Sequence, residues 1–217
     1  MKTLTALIPF YNEERTLPEL VRQLSELPAG IITKIIFVND GSADGSLALL
    51  ENALSSTNLN CKIISKSNGG KSSAIREGAL HLETSHVVIL DADLELKTSD
   101  VVKLWNAVLE NDVEAAFGFR RFLSQSSFTY RYVKGNQFIS QFYGILFNEV
   151  ITDIMCGLKL LPSTILSQMN FRLKKFAVEI EIPLELLKHK IRPYEIEIYY
   201  KPRTREEGKV IGIQDAI

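Results

Sequence analysis

Cysteine is scarce in this chain: Cys61 and Cys156 are the only two in 217 residues, far apart and without a CxxC pair. This excludes a disulfide framework and a cysteine-based metal pattern, and predicts two free thiols in a reducing compartment. No apolar run approaches the ~20 residues needed to span a bilayer. An excess of charge is missing too: the formal net charge is -1, which gives no support to a nucleic-acid binder. Met1-Lys2-Thr3 leads straight into an apolar run with no cleavage site, so the expected location is cytoplasmic. Glycine is absent from "IPFYNEERT", which rules out a GxGxxG fingerprint after the first strand, and "NGGKSS" lacks the spacing of a phosphate-binding P-loop. We find no repeat and no low-complexity linker.

What is present is ordinary globular composition, 46% hydrophobic and 24% charged, enough for one sizeable core. "LTALIPF", "KIIFVN", "CKIIS" and "HVVIL" are short, continuously apolar strands. Between them lie segments with helical spacing: one from about Leu17, with Thr16 and Glu19 forming a capping box, then "SLALLENAL" and "SSAIREGALHL". A further helix, about Val101 to Glu110, leads to "EAAFGF". Continuous apolar strands alternating with helices predict an α/β fold with a mostly parallel sheet covered on both faces. Later, "FAVEIEIPLELLKH" is predicted helical around Pro183 and "YEIEIYY" alternates like a half-exposed strand. We expect a single domain over residues 1–217, with a nucleotide-binding-type half (1–119) and a second half (120–217).

Ligands of open parallel sheets bind beyond the carboxyl ends of the strands. The polar motifs fall there: "PFYNEE", "NDGSADGS", "KSNGGKSS" and "DADLE" each follow an apolar strand. Each alone reads equally well as a turn or a helix cap; four on one edge point to a site. The fourth is the most informative. Asp91, Asp93 and Glu95, with Asp100 close behind, load one strand end with carboxylates that repel and are costly to desolvate. A divalent cation explains this best. Oxygen ligands suit Mg2+ or Mn2+, and alternation continued past the strand end would point Asp91, Asp93 and Glu95 the same way.

In order along the chain, "IPFYNEE", "VNDGSADGS", "NGGKSSAIREGA", "DADLE", "GFR", "DIMCGLK", "EIEI" and "TREEGK" resemble the motifs of inverting family 2 glycosyltransferases, covering residue 4 to about 210. The subgroup they resemble is that of dolichyl-phosphate mannosyltransferases and bacterial polyprenyl-phosphate glycosyltransferases. The resemblance implies a GT-A fold, a GDP- or UDP-sugar donor, Mg2+ or Mn2+, and a polyprenyl-phosphate acceptor, with residues 120–217 as the acceptor side. It assigns Pro9, Tyr11, Glu13, Asp40, Lys71, Asp91, Asp93, Arg205 and Lys209 to the donor. Asp91, Asp93 and Glu95 become metal ligands, Glu95 standing where the subgroup usually has glutamine. Arg120 and Arg131 become acceptor-phosphate ligands, a role that suits bidentate guanidinium geometry. Asp153 becomes the catalytic candidate, against a plain turn or cap aspartate. Arg203, with Arg205 and Lys209, falls in a basic loop that would close on the donor diphosphate.

Residues 128 to 147 hold seven of the nineteen aromatics. Helical spacing of Phe138, Phe142 and Tyr143 favours core packing, with peripheral contact at the inner face of a membrane as the other reading. Three competing functions keep distinct signatures: transfer to a polysaccharide hydroxyl, which would need a true base; a sugar-phosphate nucleotidyltransferase, which would carry a glycine- and arginine-rich first loop; and a non-catalytic nucleotide-binding module.

Overall fold

The computed structural model describes residues 1–121, 130–171 and 178–202, apart from the side chains of residues 130 and 131. Strand β1 (Leu4–Phe10) lies near the middle of a seven-stranded sheet. The other strands are β2 (Lys34–Asn39), β3 (Cys61–Ser65), β4 (His86–Ile89), β5 (Ala116–Arg120), β6 (Lys159–Pro162) and β7 (Tyr194–Ile198), in the spatial order β3-β2-β1-β4-β6-β5-β7. Every neighbouring pair is parallel except those made by β6, which runs antiparallel to both β4 and β5.

Alternate residues of each central strand enter different cores. Leu4, Ala6, Ile8 and Phe10 of β1, with Ile35 and Phe37 of β2, face one side. Leu7, Ile36 and Val38 face the other. Burial on both faces is why these strands read as unbroken apolar runs rather than alternating ones. The first face is covered by α1 (Leu17–Ser25), α2 (Ser46–Ser55) and α4 (Ser99–Glu110), the second by α3 (Lys71–Ala79), α5 (Tyr130–Phe147), α6 (Ser163–Gln168) and α7 (Val178–Lys188). In α1, Leu17, Leu20, Val21 and Leu24 form the buried stripe that the spacing predicted. The capping box does not form. Thr16 donates to the Glu13 carboxylate and carbonyl instead, and Glu19 pairs with Arg22 and Gln23 on the surface. Both thiols are free, and burial raises each to a pKa of about 11.

The reversed strand has a functional consequence. The six parallel strands end at one edge of the sheet, and because β6 runs the other way, the segment that enters it, Asp153–Leu158, arrives at that same edge.

Candidate active site

The first two strand-end loops are stitched into one unit. Asn12 N donates to Ser42 Oγ at 3.0 Å and Asn12 Oδ1 accepts from Ala43 N at 2.8 Å. Glu13 N donates to Ser46 Oγ at 2.7 Å. Pro9 is buried inside β1, whereas the Tyr11 ring is exposed at its end. Asp40, expected to meet the nucleotide, accepts from Lys66 Nζ (2.8 Å), Gly69 N (3.0 Å) and Gly70 N (2.7 Å). In this structure it shapes the glycine loop that opens α3, where Gly70 has a φ of +82° that a side chain would resist.

Lys71, the first residue of α3, lies between two carboxylates. Its ammonium is 2.6 Å from Asp91 Oδ1 and 2.8 Å from Glu179 Oε1. Burial alone would lower its pKa, but Asp91 and Glu179 override that and hold it charged. The expected carboxylate triad is not assembled. Strand β4 stops at Ile89, residues 91–95 leave the extended conformation, and Leu94 has a φ of +59°. The alternation that would have aligned three side chains is lost. Asp91 turns to Lys71, Asp93 Oδ1 accepts from Glu95 N at 3.0 Å, and Glu95 Oε2 accepts from the Tyr200 hydroxyl at 2.6 Å. Among the described residues, no three or more His, Cys, Asp or Glu side chains form a group that could hold a metal ion.

The second cluster centres on Asp153, 1% exposed, and Arg120, 7% exposed, at the end of β5. Arg120 donates through Nε (2.7 Å) and Nη2 (2.9 Å) to the two oxygens of Asp153, and its backbone N–H adds a third bond at 3.1 Å. Asn136 of α5 donates to Asp153 Oδ1 at 2.7 Å. Arg120 Nη1 reaches the Tyr132 hydroxyl at 2.8 Å, and the Tyr200 ring lies 5.0 Å from the guanidinium carbon. Burial would raise the Asp153 pKa; the Arg120 guanidinium prevails and holds it below the usual carboxylate range. Asp153 is therefore placed as the anchor of Arg120 rather than as a carboxylate open to a substrate. Sequence reasoning missed Tyr132, Asn136, Glu179 and Tyr200. The only signals were polar residues within an aromatic-rich helix and the unassigned "EIEI". Arg131 lies on α5, its side chain outside the described set; Arg203, Arg205 and Lys209 lie outside the described residues.

Residues 5–169 match the family model described as glycosyl transferase family 2. The chain belongs to that family. Among similar proteins, an uncharacterized protein of Methanocaldococcus jannaschii is 26% identical, with 84% of this chain and 81% of that protein covered. Glycosyltransferase AglJ of Haloferax volcanii is 24% identical over 91% of this chain, which spans 62% of AglJ. The solved structure of glucosyl-3-phosphoglycerate synthase from Mycobacterium tuberculosis with Mn2+, UDP and phosphoglyceric acid superposes with a TM-score of 0.74 at 15% identity, covering 95% of this chain and 73% of that one. That synthase has also been crystallised with Mg2+ and UDP. The likeness confirms the expected GT-A fold.

One further feature of this family 2 chain departs from expectation. Phe138 and Phe142 do not pack in the core: they are 66% and 52% exposed and stack on each other at 6.1 Å, while Tyr143 alone of the three turns inward. Positions 138 and 142 share the outer face of α5, continued by Ile145 and Leu146. Lys159 is buried and donates to the carbonyls of Ile154 and Cys156, fastening the turn that carries Asp153. Gly157 in that turn leaves room for the Asp91–Lys71 pair, since a Cβ there would stand 2.4 Å from Asp91 Oδ2 and 3.2 Å from Lys71 Nζ. Gly157→Ala should therefore displace Asp91 and lower stability by about 1–3 kcal/mol, as overpacking does, read as a drop in melting temperature. An unchanged melting temperature would show that the pair relaxes freely.

Proposed function

We propose that this chain transfers a hexosyl group, mannose or glucose, from a GDP- or UDP-sugar to the phosphate of a polyprenyl lipid, with inversion at the anomeric carbon. Residues 1–119 serve the donor and 120–217 the acceptor within one catalytic domain. The observation that carries the acceptor class is the full commitment of Asp153 to Arg120 and Asn136. A hydroxyl acceptor needs a base to take its proton. A phosphate oxygen is anionic near neutral pH and can attack without one. Asp153 thus acts by orienting Arg120, whose guanidinium suits a phosphate. The apolar outer face of α5 supports a lipid carrier: the helix that supplies Tyr132 to Arg120 and Asn136 to Asp153 also exposes Phe138, Phe142 and Ile145. Among the described residues no helix is long and apolar enough to cross a membrane, so the proposed contact is peripheral.

A divalent cation, Mg2+ or Mn2+, fits the donor side. Asp91 and Asp93 are hard-oxygen donors at a strand end, and Asp91 already holds a cation, the Lys71 ammonium. Such ions bind through one or two carboxylates plus substrate phosphates, so an incomplete protein ligand set is compatible with them. When bound, the ion supplies positive charge to the departing nucleoside diphosphate. Lys71 stands at the same donor edge, against Asp91 and Glu179, and Tyr11 offers its exposed ring there.

A second reading, a small phosphorylated hydroxy-acid acceptor, is suggested by the phosphoglyceric acid in the synthase structure. Incubation of the protein and Mn2+ with GDP-mannose, UDP-glucose and related donors separates them. We expect transfer to a polyprenyl phosphate and none to phosphoglycerate. Transfer only to phosphoglycerate would establish the second reading, and hydrolysis or no turnover with either would reject both.

A further inference from the structure

The donor edge contains a buried charge that sugar transfer alone does not explain. Glu179 of α7 is 5% exposed, and its Oε1 accepts from Lys71 at 2.8 Å. Its second oxygen, Oε2, is buried and has no hydrogen-bond partner among the described residues. Beside it is a small void lined by Lys71, Gly157, Lys159 and Glu179 together with apolar side chains. A carboxylate with one oxygen on an ammonium and the other unsatisfied is unusual, because buried acceptors are nearly always paired.

Lys71 meanwhile lies 2.6 Å from Asp91, a carboxylate the proposed reaction needs for a divalent cation. The ammonium and a divalent ion cannot share one carboxylate oxygen at bonding distance: like charges that close repel strongly in a partly desolvated site. An ion that takes Asp91 Oδ1 therefore displaces the Lys71 ammonium from it. An ammonium has three N–H donors, and one already points to Glu179.

We propose that Glu179 is a positioning residue that retains Lys71 at the donor edge when a divalent cation takes Asp91, its second oxygen receiving the hydrogen that Asp91 gives up. In the cation-free protein Lys71 neutralises Asp91. In the loaded protein it stays tethered to Glu179, beside the ion rather than in solvent. The exchange leaves no buried carboxylate uncompensated in either state, and it explains why Glu179 carries a spare acceptor. This inference rests on the donor site proposed above.

The decisive measurement is Mn2+ binding to the protein without nucleotide, followed by the electron paramagnetic resonance signal of free Mn2+. With Glu179 neutralised, Asp91 is the carboxylate left for Lys71, and the ammonium competes harder with the metal. Glu179→Gln should weaken Mn2+ binding about tenfold, a coupling of ordinary size for groups in contact. Lys71→Gln removes the competitor and should tighten Mn2+ binding. In the Lys71→Gln background, Glu179→Gln should change Mn2+ affinity by no more than about twofold, the residual long-range field of the lost charge. Glu179→Asp keeps the charge and should restore most of the affinity, which also guards against a fold defect in the glutamine variant. An equal effect of Glu179→Gln in both backgrounds, or none in the native one, overturns the inference while leaving the donor site in place. Absence of Mn2+ binding to the unaltered protein overturns both.

Discussion

Asp153→Ala should lower the stability of this protein by about 3–5 kcal/mol, the effect of removing one partner from a buried ion pair. For a chain of this size that is a fall in melting temperature of roughly 10 °C or more. The reason is the orphaned charge rather than the lost attraction. Without the carboxylate, the buried Arg120 guanidinium keeps its positive charge and loses two hydrogen-bond acceptors, the Arg120 backbone N–H loses a third, and Asn136 loses a fourth. Arg120→Ala should cost a similar amount, and the double variant clearly less than the sum, because the second change removes the charge left uncompensated by the first. Arg120→Lys should not rescue, since an ammonium cannot span both oxygens of Asp153 and reach Tyr132 as well.

The same pair sets a pH dependence. The folded-state pKa of Asp153 is depressed, so its contribution is fully present above the ordinary carboxylate pKa and is lost as pH falls through the lower folded value. The difference in stability between native protein and Asp153→Ala should be constant near neutrality and shrink in acid. A solvent-facing catalytic aspartate would behave otherwise: its alanine variant would melt normally at every pH and simply lose turnover. Equal melting temperatures for the native and alanine proteins would remove Asp153 from the role of anchor.

Why the fold was legible and the pairings were not follows from where each kind of information resides. Burial on both faces leaves continuous apolar runs in β1, β2 and β4, and those runs are visible locally. Strand β6 was missed because it has only four residues, Lys159–Pro162, and its direction is set by its neighbours rather than by any local pattern. At the site, the gathering of polar loops on one edge follows from parallel topology and could be anticipated. The partners of the carboxylates could not. Lys71 and Glu179 are 108 residues apart, and Glu95 and Tyr200 are 105 apart.

The four clustered carboxylates show the consequence. A common cation was the economical explanation for them, yet each has its own donor: Asp91 takes Lys71, Asp93 the N–H of Glu95, Glu95 the hydroxyl of Tyr200, and Asp100 the N–H of Tyr199. Glu95 and Asp100 thereby tie the end of β7 to the carboxylate turn, work that falls to neither a metal ligand nor a solvated loop. Burial, followed by the influence of Tyr132 and Glu95, keeps the Tyr200 phenol protonated well above its usual range, so the hydroxyl remains a donor to Glu95 through the physiological range.

Asp93→Asn should reduce sugar transfer by about 10²–10³-fold, comparable to deleting a preorganised electrostatic contact, while leaving the metal-free protein as stable as before. Asp93 Oδ1 accepts the Glu95 N–H that closes the turn around Leu94, and the amide oxygen of asparagine can accept the same bond. What is lost is the negative charge, and with it the pull on a divalent cation and on the donor diphosphate that shares it, so the two should weaken together. Asp91→Asn supplies the contrast. Asp91 is the ion-pair partner of Lys71, so its neutralisation should destabilise the protein even without metal. Melting both variants with and without Mn2+ reads the distinction directly. Asp93→Asn should keep the apo melting temperature and lose the Mn2+-induced rise, whereas Asp91→Asn should lose on both counts. If Asp93→Asn melts early without Mn2+ and retains the full Mn2+-induced rise, Asp93 belongs to the architecture of the turn and the cation binds elsewhere.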